Sequence, residues 1–60
     1  MIKKVELEDR YYSVCVENDS DKQQTKLGVQ QWQLIFSSKA EVNDFINLLH
    51  KAMEFWEYDN

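Results

Sequence analysis

The segment Lys39–Tyr58 repeats its apolar residues at the period of one helix, and its apolar face is wider than a chain of 60 residues can cover by itself. At 100° per residue, Val42, Phe45, Ile46, Leu49, Ala52, Met53 and Trp56 share one stripe, with Leu48 and Phe55 on its flank. Together they span roughly half the circumference, where a surface helix usually shows an arc of about 100° or somewhat more. Such a helix needs two surfaces to pack on, and only one can be its own sheet. Ser38 and Glu41 stand at capping-box spacing, which places the helix start.

The remainder reads as strand. Residues 2–17 are rich in Val, Tyr, Cys and Leu, the cluster Asn18–Lys22 suits a turn, and residues 25–36 read as a second strand. The expected fold is an α+β domain over 1–60, an antiparallel hairpin followed by one helix over about 39–58. Both strands, however, change phase midway. Val5 and Leu7 alternate on odd positions and Tyr12, Val14 and Val16 on even ones; Leu27 and Val29 are odd, and Trp32, Leu34 and Phe36 even. With a turn at 18–21 the partners' numbers sum to about 39 or 41, and the two phase changes then lie nearly opposite each other.

An unbulged hairpin would therefore carry two apolar patches on opposite faces. One, at the base (Val5, Leu7, Trp32, Leu34, Phe36), would dock the helix; the other, at the tip (Tyr12, Val14, Val16, Leu27, Val29), would need another cover. The alternative is a bulge or turn at Glu8–Arg10 that restores the phase and makes a three-stranded meander. Helix width and strand phase both point to a homodimer, or a higher even oligomer, built on a continuous sheet with two helices across it. The interface expected from that reading is Tyr12, Val14, Val16, Leu27, Val29, Leu48 and Phe55.

Composition narrows the function classes. The net charge of −4 is uneven: six acids balance six bases up to residue 40, and five acids face Lys51 alone beyond it. An acidic chain repels phosphate backbones and loses the usual electrostatic term for nucleic acid. A hydrophobic fraction of 43% with eight aromatics argues against disorder. One cysteine, Cys15, rules out an internal disulfide and favours a reducing, cytoplasmic setting. The start, Met1–Glu6, has a basic pair without the apolar run of a signal peptide, and no stretch has the length of a membrane span.

No chemistry assembles by spacing. His50 is the single histidine and projects from the polar side of the helix, where it suits a solvated pair with Glu54. Cys15 reads as a packed or half-exposed strand residue rather than a reactive thiol, and Gly28 is solitary, so there is no phosphate-cradling loop. No catalytic residue, metal site or cofactor is expected. Tyr11, Tyr12 and Trp32, with Lys3, Lys4, Arg10, Lys22 and Lys26, are the candidates for stacking single-stranded bases, the alternative function. Acids interleave with those bases throughout.

The sharper candidate is the C-terminal end, Glu54, Glu57, Tyr58 and Asp59 beside Phe55 and Trp56. Carboxylates in the last turns of a helix oppose its dipole, so a sequence tuned for helix stability alone would place Lys or Arg there. Acids beside large aromatics suit a protein-binding edge. Residues Trp32–Ser38 with Val42, Phe45, Leu48 and Leu49 look like the last strand and closing helix of pleckstrin-homology domains, over fewer than 30 residues. The hairpin–helix order also resembles the dimeric single-strand-binding core of transcriptional coactivators, with acids largely replacing that family's basic residues. A small acidic chain of this kind is similar in style to phage or mobile-element proteins that bind and block host factors. Neither family resemblance transfers a site. The resulting expectation is a small non-enzymatic protein-interaction module, homodimeric, acting as a regulator or inhibitor through its acidic aromatic end.

Overall fold

A turn resolves the phase change at residues 8–10. In the computed structural model, which describes residues 1–31 and 33–59, Asp9 Oδ1 accepts hydrogen bonds from the backbone N–H of Tyr11 (2.8 Å) and Tyr12 (2.7 Å). Asp9 N–H in turn donates to the Tyr12 carbonyl at 2.9 Å, closing a tight loop between strands β1 (Ile2–Glu8) and β2 (Ser13–Asp19). The loop switches the inward parity from odd to even, so that Val5 faces Val16 and Leu7 faces Val14. The meander is the form adopted, and the single long strand over 2–17 is not.

A second aspartate organises the next turn. Asp19 Oδ1 accepts from Asp21 N–H (3.0 Å) and Lys22 N–H (3.4 Å), and Gln23 closes the turn at φ 51°. Strand β3 (Gln24–Val29) then returns beside β2, with Val16 facing Leu27 and Val14 facing Val29. The partners' numbers thus sum to 43 rather than 39 or 41. The strand expected to reach residue 36 stops at Val29 because its neighbour runs out: after the bond from Gln30 N–H to the Ser13 carbonyl (3.1 Å), β2 has already become the Asp9 loop. Residues 33–36 are irregular, so the pleckstrin-homology-like strand is absent there. Expectations placed on Trp32 lie outside the described residues.

The result is an α+β fold with strand order β1-β2-β3 and one helix, α1 (Lys39–Met53), laid over β1 and β2. Ser38 caps the helix by accepting from Glu41 N–H at 3.2 Å, while the Glu41 carboxylate reaches back to Ser37 N–H, one residue earlier than a regular capping box. Tyr12, Val14, Val16, Leu48 and Ala52 form the buried core, with Leu7, Phe36, Phe45 and Leu49 packed around it. Val14 and Val16 are fully buried, each worth about 1.5–3 kcal/mol of burial.

Three aromatic rings fix the rotation of the helix. Phe36 and Phe45 lie 5.1 Å and 5.3 Å from Tyr12 between ring centroids and 5.5 Å from each other. With Phe45 held there, Leu48 and Ala52 follow it onto the sheet, and Val42, Ile46 and Met53 turn outward. Leu48 is therefore a core residue rather than flank, and half of the expected docking stripe faces solvent. Among the described residues no helix is long and apolar enough to cross a membrane.

Candidate functional site

The helix ends at Met53, not Tyr58. Its last turn tightens, with Glu54, Phe55 and Trp56 N–H donating three residues back to Lys51, Ala52 and Met53 (3.1–3.2 Å). Lys51 occupies the final turn, where a cation suits the dipole. Of the three acids expected to oppose that dipole, Glu54 is the cap residue, and Glu57 and Asp59 lie beyond the helix altogether. Opposition to the dipole therefore gives these acids no functional role.

Beyond the helix the chain forms a strap, fastened to the sheet by one buried side chain. Asn18, 3% exposed, donates from Nδ2 to the Phe55 carbonyl (2.9 Å) and accepts at Oδ1 from Glu57 N–H (3.2 Å). Thr25, its partner across the β2–β3 ladder, donates its hydroxyl to the same Asn18 oxygen and accepts from Tyr58 N–H at 2.9 Å. The strap is thus held by its backbone, which leaves its side chains free to face outward. Phe55, Trp56, Glu57 and Asp59 are exposed and Tyr58 is half-buried. Glu57 approaches Lys3 Nζ at 3.9 Å, and Trp56 Nε1 donates to the Tyr58 carbonyl at 3.0 Å. The sequence marks Asn18 only as a turn former, and its position opposite Thr25 depends on a register that the sequence leaves open.

An open cleft of about 490 Å³ is lined, among the described residues, by Met53, Trp56 and Asp59. It lies where the outward stripe of the helix meets the strap. Val42, Ile46 and Met53 continue the apolar surface along the helix, and Glu54, Glu57 and Asp59 supply negative charge at its end. Four residues expected at a dimer interface (Tyr12, Val14, Val16 and Leu48) are instead spent in the chain's own core, because the Asp9 turn brings both apolar phases onto one face. Leu27, Val29 and Phe55, from the same expected interface, remain exposed.

Other candidates are dispersed. Tyr12 is buried and its hydroxyl donates a hydrogen bond to the Ile35 carbonyl at 2.6 Å, so its ring cannot stack a base. Burial pushes that hydroxyl above its ordinary value of 10.0, with the Glu41 and Asp9 carboxylates adding to the shift. Cys15 faces outward from the sheet, on the side opposite α1, and cannot meet His50. Around it the open face pairs Lys4 with Glu17 and Glu17 with Lys26, a mixed row rather than a basic strip. Among the described residues no three His, Cys, Asp or Glu side chains converge.

No family model matches this sequence, no curated protein matches it, and no solved structure matches its fold.

Proposed function

We propose that this chain is a non-enzymatic protein-interaction module, homodimeric, that regulates or inhibits another protein by engaging it at the strap. The observation that carries this reading is the pairing of uncovered apolar surface with acid. Met53, Trp56 and Asp59 line an open cleft, Glu54 and Glu57 share the neighbouring hollow with Trp56, Lys3 and Asn18, and the strap backbone that carries them is anchored by Asn18 and Thr25. A rigid backbone presenting aromatics limits the ordering cost of binding, since few main-chain dihedrals remain to be fixed. The complementary surface is an apolar one with basic residues at its rim. The setting proposed for this activity is the cytoplasm, on the strength of the single unpaired cysteine.

The test is capture from a native cell lysate by the tagged chain, with and without nuclease. The same capture is run on the triple variant Glu54→Gln, Glu57→Gln, Asp59→Asn. A protein retained by the wild type in both conditions and lost from the variant supports the reading. Equal retention by the variant, at unchanged thermal stability, overturns it. Retention that vanishes with nuclease, and labelled oligonucleotide binding that falls steeply with salt, would move the assignment to nucleic acid.

A further inference from the structure

The two edges of the sheet are not alike. Neither β1 nor β3 has a second neighbour among the described residues. The bonds from Ser20 N–H to the Met1 carbonyl and from Gln30 N–H to the Ser13 carbonyl set the parity of both ladders. On β1 the residues whose backbone groups face outward are then Ile2, Lys4, Glu6 and Glu8; on β3 they are Thr25, Leu27 and Val29. Charged side chains on an edge discourage strand addition, and β1 carries three of them at those positions. Those of β3 carry none. Its Leu27 and Val29 side chains lie on the helix side of the sheet and stay exposed, because α1 sits over β1 and β2.

Resting on the homodimeric reading above, we propose that a second copy of this chain pairs antiparallel along β3 about a two-fold axis at Leu27. The product is a six-stranded sheet with both helices on one face. Leu27 meets Leu27 of the copy, and Thr25 meets Val29 of the copy, so every outward backbone group of β3 is paired. The apolar row Val5, Val16, Leu27 then runs unbroken across the axis into its own repeat. On the opposite face Lys26 falls opposite Gly28 of the copy, not opposite another lysine. That site is roomy: a Cβ placed on Gly28 would meet nothing within 4 Å. No like charges stand directly opposite each other in this register.

The surface area fits the same occupant. The chain exposes 4773 Å², against about 4100 Å² for a compact monomer of 7.2 kDa. The excess, roughly 650 Å², is of the order of the ~800 Å² each partner gives up in a standard interface. Its radius of gyration, 12.5 Å, likewise exceeds the ~10.4 Å expected for 60 residues. Self-pairing uses the backbone edge of β3, whereas the strap is fastened through the side chains of Asn18 and Thr25.

Sedimentation equilibrium at tens of micromolar should return twice the 7.2 kDa of one chain. Leu27→Lys should weaken association by at least about tenfold, since it sets two lysines face to face at the axis. Cross-linking tests the register without relying on that variant's folding. In a Cys15→Ser background, Leu27→Cys should oxidise to a disulfide-linked dimer, because paired Cα atoms about 5.5 Å apart are within disulfide reach. Val29→Cys alone should not, whereas Thr25→Cys combined with Val29→Cys should. A monomeric wild type would overturn both this proposal and the homodimeric reading. A dimer that Leu27→Lys leaves intact, or in which Val29→Cys links as readily as Leu27→Cys, overturns the proposed edge alone.

Discussion

Asn18 is the one polar residue that the fold buries among those described. Each of its side-chain polar atoms serves the strap, and it is buried where water cannot replace it. Asn18→Ala would leave the Phe55 carbonyl, the Glu57 N–H and the Thr25 hydroxyl short of a partner, a loss of about 2–3 kcal/mol. Hydrogen exchange gives the sharper measurement: the Glu57 and Tyr58 amides should exchange faster in the variant while those of α1 keep their relative protection. Uniform acceleration across the chain would mean that Asn18 supports the whole fold rather than the strap. At Tyr12 pH is the probe. A hydroxyl whose folded value is raised contributes stability that is complete below its unfolded value of 10.0 and is lost as pH rises through the folded one. Thermal melts over about pH 8 to 11 should therefore fall more steeply above pH 10 for the wild type than for Tyr12→Phe. Parallel curves for the two proteins would show that titration of this hydroxyl is not what limits alkaline stability.

At the level of elements, the Asp9 turn decides the topology, and it can be tested without touching the core. Asp9→Ala removes the acceptor of two backbone N–H groups and should cost about 1–2 kcal/mol, measured by urea denaturation. Asp9→Asn keeps that oxygen and should cost clearly less. Equal losses would show that charge, not the acceptor geometry, holds the turn. The same residue explains what was legible in the sequence. The phase change at Glu8–Arg10 was visible, and so were the two ways of accommodating it, because period-2 patterning reports which face a residue serves. Which way the chain turns depended on one carboxylate bonding three residues ahead, a local competition that apolar alternation does not register. The helix start was legible for the opposite reason, since Ser38 and Glu41 act within one turn. Its end was not: the apolar period continues through Phe55 and Trp56, whereas beyond Met53 the Phe55 carbonyl and the Glu57 N–H bond to Asn18, far away in the sequence. At the candidate site, the sequence picked out the aromatic–acid cluster of residues 54–59, but not the sheet residues that fasten it.

For the molecule as a whole, the excess apolar surface survived the fold but moved. About half of the helix stripe did find the sheet, through Phe45, Leu49 and Ala52, joined by Leu48 from the flank, and the tip residues Tyr12, Val14 and Val16 became the monomer's own core. Among the large apolar side chains that stay uncovered are Val42, Ile46 and Met53 on the helix, and Leu27 and Val29 on the outer strand. With a core of only five buried apolar residues among those described, the folded monomer has little stability in reserve. Association through β3 would then be part of folding, because a partner that binds the native chain and not the unfolded one stabilises it by mass action. The thermal midpoint should accordingly rise with protein concentration, by several degrees for each kcal/mol of stabilisation gained at this chain length. In Leu27→Lys the midpoint should be lower and nearly independent of concentration, whereas the triple strap variant should follow the wild type. A wild-type midpoint that stays constant over a hundredfold range of concentration would show that the monomer is stable alone, and would leave those uncovered side chains to a different protein.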